Sequence, residues 1–351
     1  MKTTIRLCGM ILLSVSLFSC SRDTSSSTPT SNVSAQGVTP TQAQAAAQEQ
    51  GKSKYGRIDP EVPNVNSLRG QGLTTVQAVD FNVVAHADDW ELFFSPEVYR
   101  EVTSATTKNV FIYLTAGDAG AGRGPVKNNP YYQAREDGAN AAVRFIASVN
   151  AATGEDPVSS KVVIAGHKVL RVAYRNTASY FLRLPDGAPD GKGFAGQSMQ
   201  LLYENKIPKI NAIDKSAVYP DWKDLTNTVK GIIKKETGNL GKASFNLMDS
   251  DPIVKVDHSD HIYTTMLVNS ILKTMPCVNA QYFLTYWKNY TPEYPINMGS
   301  EDLINQAAVV GVMQASEADA GYPGSWDEFH KSFIGKDYSR EVPATSTAAC
   351  I

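Results

Sequence analysis

Hydrophobic and polar positions fall into alternating strand-like and helix-like stretches from about residue 78 onward. Val79-Asp80-Phe81-Asn82-Val83-Val84 alternates and then turns wholly apolar, as a strand does near the centre of a sheet. Residues 109–114 (NVFIYL) form a second such run, closed by the glycine-rich turn Gly117-Asp118-Ala119-Gly120-Ala121-Gly122. Residues 91–102 read as a helix whose first turns are weakened by Pro96. In 131–149, Ala139, Ala142, Val143 and Phe145 to Ala147 recur at helical spacing. The same reading predicts helix 221–236, strand 243–247, helix 258–274, strand 281–286 and helix 300–315. Strands alternating with helices predict an α/β fold with a mostly parallel sheet and helices on both faces. The stretch 161–213 is richer in β-branched and aromatic residues and in turns (Pro185-Asp186-Gly187, Pro189-Asp190-Gly191). It predicts a β-rich insertion with its own hairpins.

The first residues follow neither pattern. Lys2 and Arg6 precede an apolar run from Leu7 to Phe18, too short to span a bilayer as a helix but matching the h-region of an export signal. It ends in Leu17-Phe18-Ser19-Cys20, which looks like a lipobox with Cys20 as the lipidated residue. On this reading residues 1–19 are a signal, and 20–56 are a tether of Ser, Thr, Gln, Ala and Pro that cannot bury enough apolar surface to fold. Such a tether reaches on the order of 30 Å from a membrane. Residues 57–351 remain for the folded part, which predicts an exported, membrane-anchored protein.

Composition narrows the field. The 351 residues hold 33 Lys and Arg against 35 Asp and Glu, a net charge of −2 with no basic footprint for nucleic acid. Of four Cys, Cys8 falls in the signal and Cys20 at the lipobox, leaving Cys277 and Cys350. They are a disulfide or two free thiols; spacing does not decide between these.

Chemistry concentrates in two short stretches. His86-Ala87-Asp88-Asp89-Trp90-Glu91 lies where the first apolar strand gives way to a helix, the edge on which open α/β sheets carry their sites. His86 and Asp89, three apart, can converge on one ion, leaving Asp88 to face a reacting water. Acids capping a helix start would look the same. Asp257-His258-Ser259-Asp260-His261 opens a later helix, with His258 and His261 on one face. Asp260 is placed to hold His258 in one tautomer. A capping pair, Asp257 answered by Asp260, is the alternative. The count favours chemistry: of five His in the chain, three stand in these two stretches beside four Asp. Imidazoles with carboxylates and an open position are the inventory of a hydrolytic zinc site. Gly-x-Ser-x-Gly and His-Glu-x-x-His are absent, and Gly120-Ala121-Gly122-Arg123-Gly124 lacks the spacing of a dinucleotide fingerprint.

The two stretches, in this order, resemble the PIG-L/LmbE-like zinc-dependent N-deacetylases. That family pairs a His-Pro-Asp-Asp-Glu-like motif after its first strand with a later His-x-Asp-His. Thr115-Ala116-Gly117-Asp118, Arg135-Glu136 and Phe181-Leu182-Arg183-Leu184-Pro185-Asp186-Gly187 are similar to further family stretches. The resemblance, over roughly residues 78–315, implies a Rossmann-like α/β fold and Zn²⁺ held by His86, Asp89 and His261. It implies Asp88 as general base and His258, oriented by Asp260 and protonated near neutrality, as the acid. Arg135 and Asp118 would meet the substrate, an amino sugar or glycan bearing an N-acyl group. Ala87 stands where the family has Pro. Trp90 stands where it has an acid, with Glu91 one place later, which leaves the acid's role open and offers an aromatic to stack on a sugar. A carbohydrate-binding lipoprotein without catalysis and an amidohydrolase of a non-sugar substrate are the competing readings. Aromatics 286–294, with Trp287 and Tyr290, can line a groove or belong to core and rim.

Overall fold

Five strands run parallel through the middle of one eight-stranded sheet, and their order sets where chemistry can sit. The computed structural model describes residues 76–104, 106–120, 130–149, 155–194, 196–240, 242–249, 257–275, 278–286, 293–324 and 326–342. In chain order the first elements are β1 (Ala78–Val84), α1 (Asp89–Phe93), α2 (Ser95–Thr103), β2 (Thr107–Thr115) and α3 (Tyr131–Ser148). There follow β3 (Val158–Ile164), β4 (His167–Tyr174), β5 (Thr177–Leu184), α4 (Met199–Tyr203), β6 (Ile210–Asn211), β7 (Val218–Tyr219) and α5 (Trp222–Thr237). The last are β8 (Ala243–Met248), α6 (Ser259–Leu272), β9 (Val278–Phe283), α7 (Ser300–Asp319), α8 (Glu328–Lys331) and β10 (Ser339–Val342). The signal 1–19, the tether 20–56, Cys20, Cys277, Cys350, Trp287 and Tyr290 lie outside the described residues.

The sheet order is β10-β9-β8-β1-β2-β5-β4-β3, with β9, β8, β1, β2 and β5 parallel and the pairs at both margins antiparallel. β1 and β2 are buried along almost their whole length, which parallel strands covered on two faces require. Successive side chains serve opposite layers. Phe81, Val83, Val110, Ile112 and Leu114 pack with Leu225, Val229, Ile232, Leu267 and Val268 of α5 and α6. Val84, Phe111 and Tyr113 pack with Trp90, Phe93, Val98, Val143, Val309 and Met313 on the other face. No helix among the described residues is long and apolar enough to cross a membrane.

Three expectations shift. The helix expected over 91–102 is two helices, because Pro96 can sit only in a first turn and so starts α2 after a break at Phe94. The strand expected at 281–286 is β9, three residues earlier, in register from Ala243↔Val278 to Met248↔Phe283. The β-rich stretch 161–213 does form hairpins, but they extend the main sheet, and β5 pairs directly with β2.

Candidate metal centre

The chain leaves β1 toward β2 on one side and returns to β8 on the other. Strand order therefore reverses between β1 and β8, and the crevice beyond their carboxyl ends is where such sheets hold ligands. Described residues that follow all five parallel strands meet there: His86 and Asp89 after β1, Gly117 after β2, Asp186 after β5, Asp257 after β8 and Thr285 after β9.

Asp89, first residue of α1, folds its carboxylate back over the turn that follows β1. Its Oδ2 accepts the backbone N–H groups of Ala85 at 3.0 Å and His86 at 2.8 Å. Oδ1 faces Nε2 of His261 at 3.1 Å and Nδ1 of His86 at 3.4 Å, and those two nitrogens lie 3.2 Å apart. Donor atoms about 2.05 Å from a tetrahedral zinc ion lie about 3.3 Å from one another, so these three stand at three corners of one coordination tetrahedron. The capping alternative is not realised: Asp88 holds the N-cap position of α1 but makes no side-chain capping bond.

The field of the protein favours positive charge at this point. Burial opposes charging of His261, yet Asp257 and Asp89 push it up to about 10. His86 is likewise raised against its burial by Asp89 and Asp260. Asp89 is held well below the usual carboxylate range, the two imidazoles outweighing its burial. A cation between these three groups fits both donor set and field.

Each imidazole is braced from behind by a carboxylate. Nε2 of His86 faces Asp260 Oδ2 at 3.4 Å, and Nδ1 of His261 faces Asp257 Oδ1 at 3.0 Å. The proton of each neutral ring belongs on that rear nitrogen, which leaves the front lone pair for a metal. Asp257 Oδ1 also accepts the His258 backbone N–H at 2.7 Å, and the Thr285 hydroxyl donates to its Oδ2. Asp260 Oδ2 accepts the Gly187 N–H at 2.8 Å, and a β-carbon at 187 would collide with the same carboxylate.

This corrects the expected role of Asp260. Its Oδ2 is 3.9 Å from Nδ1 of His258 and is committed to His86 and Gly187. His258 is instead fixed by its own helix: it caps α6, and its Nδ1 accepts the Asp260 backbone N–H at 3.1 Å. The neutral ring then carries its proton on Nε2, which points toward Asp186 Oδ1 at 3.8 Å. Burial, and then the charge of His86, lower the His258 pKa to about 3. The geometry thus differs from the expected imidazolium near neutrality: Nδ1 already accepts the helix N–H, and a second proton there would be driven against it.

Asp88 is buried, and Nη2 of Arg135 lies 2.5 Å from its Oδ1. Nη1 of Arg135 donates to the Gly117 carbonyl at 2.8 Å. The guanidinium expected on substrate thus faces the expected base. Glu136 beside it is paired with Arg183 at 2.6 Å on both oxygens. Asp118 is buried in the loop after β2, between Gly117, packed against His86 and Arg135, and Ala119, whose N–H donates to Asp186 at 3.1 Å.

Trp90 is not at the rim. It is buried, its indole N–H donates to the Tyr113 hydroxyl at 2.9 Å, and its ring packs on Phe111, so it cannot stack on a sugar. A five-residue helix turns successive side chains about 100° apart, and position 90 faces the sheet. Glu91 is also buried, and burial together with Asp88 and Asp89 raises its carboxyl well above the usual carboxylate range.

Three groups at the site were not among the candidate site residues read from sequence. Asp186 was visible only inside the 181–187 stretch, and Asp257 only as a cap. Tyr286, just past β9, packs on the His261 ring at 4.8 Å between centroids. Periodicity gives no signal for loop side chains that meet only after the sheet is assembled.

Comparison with solved structures finds distant likenesses. The N,N'-diacetylchitobiose deacetylase of Pyrococcus horikoshii is 12% identical with a TM-score of 0.42, over 81% of this chain and 94% of that one. A deacetylase of teicoplanin biosynthesis is 13% identical with a TM-score of 0.40, over 77% and 100%. A 4-carboxy-2-hydroxymuconate hydratase of Pseudomonas putida is 10% identical with a TM-score of 0.36, over 77% and 98%. No family model and no curated protein matches the chain. Likenesses this distant carry no activity across, and the functional reading rests on the side chains.

Proposed function

We propose that this chain is a zinc-dependent N-deacetylase of the PIG-L/LmbE type that releases an acyl group, most simply acetyl, from an amino sugar or glycoconjugate. The observation carrying the proposal is the tetrahedral spacing of His86 Nδ1, Asp89 Oδ1 and His261 Nε2, with a carboxylate behind each imidazole.

An amide is a poor electrophile and an amine a poor leaving group, so hydrolysis needs charge stabilisation, a base and an acid. A zinc ion held by His86, Asp89 and His261 supplies Lewis acidity toward the amide carbonyl and the attacking water. Asp88, one residue before a ligand, accepts the proton of that water. Arg135, on Asp88 Oδ1, fixes the rotamer of the base and balances its charge. His258 presents its Nε2–H to the reacting amide as a hydrogen-bond donor, and its Nδ1, tied to the helix N–H, keeps the ring from turning; the proton that the departing nitrogen needs is the one Asp88 has taken from the water. Asp186 and the edge-on ring of His86, 4.6 Å between centroids, limit the ring on its other sides.

The test is acetate release from N-acetylglucosamine compounds by protein of known metal content. Zinc bound in no better than trace amounts, or full activity in Asp88→Ala, would sink the mechanism. Release from non-sugar amides alone would keep the site and discard the substrate class. Export with a lipid on Cys20 belongs to the same proposal, supported by the 7–18 run ending in Leu17-Phe18-Ser19-Cys20. It predicts fatty-acid labelling that Cys20→Ala abolishes.

A further inference from the structure

Phe194 is 53% exposed, yet one side of its ring is seated without slack. A β-carbon at Gly120 would fall 2.5 Å from Cβ and Cγ of Phe194 and 2.7 Å from Cδ1. The ring therefore lies on the Gly120 backbone, at a left-handed position (φ +88°) that only glycine fits here. Gly120 stands three residues from Gly117, which packs against His86 and Arg135. Three steps between α-carbons span at most about 11 Å, so the ring rests on the same short loop whose other end lies against His86 and Arg135.

The loop that carries Phe194 is braced on the site. Gly187 N–H is held by Asp260, and the Ser259 N–H donates to the Pro189 carbonyl at 3.2 Å. Within the loop, Gly193 N–H donates to the Gly187 carbonyl at 2.7 Å and the Ser198 hydroxyl to the Gly191 carbonyl at 2.5 Å. A large apolar ring left half in solvent contributes little to folding, and a fixed one beside a polar site is the platform an amphipathic ligand uses. A pyranose is such a ligand, with an apolar C–H face and a hydroxyl edge.

Resting on the function proposed above, we infer that Phe194 is the stacking platform for the sugar adjoining the one whose amide is hydrolysed. The substrate is then a disaccharide or longer glycan rather than a free monosaccharide. Phe194 takes the part that Trp90, buried in the core, cannot.

The experiment compares kcat/KM for acetate release from N,N'-diacetylchitobiose and from N-acetylglucosamine, in the zinc-loaded wild-type protein and in Phe194→Ala, Phe194→Leu and Phe194→Trp. The wild type prefers the disaccharide. Phe194→Ala and Phe194→Leu lower that preference about tenfold, the factor equivalent to roughly 1.4 kcal/mol, chiefly through KM. Phe194→Trp keeps it, and the melting temperatures stay together. A preference unchanged in Phe194→Ala, or kept by the flexible Leu side chain, overturns the inference while leaving the deacetylase standing. No acetate from either sugar with the wild-type protein overturns the function itself, and the platform with it.

Discussion

Asp260 lies 3.4 Å from Nε2 of His86 and 3.9 Å from Nδ1 of His258, so its carboxylate braces His86 rather than His258. Asp260→Asn should therefore weaken zinc binding by about 10–100-fold, the usual cost of losing a carboxylate behind a ligating imidazole. Competition with a chromophoric chelator measures it. Metal affinity equal to wild type with activity lost would return Asp260 to the acid.

Asp88→Asn separates the base from the ligands. Asparagine keeps the shape but cannot take a proton, so kcat should fall about 10²–10⁴-fold with zinc content unchanged. Arg135 would then face a neutral amide in place of Asp88, and the structure should lose some stability as well. Metal analysis and thermal unfolding of the same preparation read both.

Trp90 gives the opposite kind of prediction. Trp90→Phe keeps most of the packing and loses the bond to Tyr113, costing about 1 kcal/mol of stability. Denaturant unfolding should register it while KM for a sugar amide stays put. A raised KM with unchanged stability would put Trp90 back at the rim.

Acid stability has a separate source at the other end of the sheet. Glu236, closing α5, is buried against Lys108 on β2, Arg171 on β4 and the Tyr180 hydroxyl. Burial alone would raise its pKa, but Arg171 and Lys108 outweigh it and hold the group at about 2 against an ordinary 4.5. A carboxylate lowered on folding stabilises the fold fully above 4.5, and that stabilisation is lost as pH falls toward 2. The amount is roughly 3 kcal/mol. Glu236→Gln should lower stability at pH 7 by about 3–5 kcal/mol, since it leaves Lys108 and Arg171 buried without their anion. Unfolding curves across that pH window should be flatter for the variant than for the wild type.

Much of this was legible in the sequence. The central strands announce themselves because burial on both faces forces unbroken apolar runs, as in Val83-Val84 and Val110-Phe111-Ile112. His86, Asp89 and His261, which the structure brings together, were legible as a group because each stands at a short spacing from another acid or imidazole at an element start. The partners of Asp260 and Trp90 were not. A carboxylate two residues from one histidine can turn to another far along the chain, and which face of a short helix meets the sheet depends on where it is interrupted. The turn at Phe94, ahead of Pro96, decided that for Trp90.

β1 has two parallel neighbours, β2 and β8, and they are made far apart in time. While a nascent chain has not yet reached residue 243, β1, buried along almost its whole length in the finished fold, is a sheet border, with one row of backbone amides and carbonyls open to any other strand. His261, the last member of the His86–Asp89–His261 cluster, comes only after that border is closed. An interrupted chain is thus a sticky fragment without the last corner of that cluster, so the cluster is complete only in a chain whose sheet is complete as well.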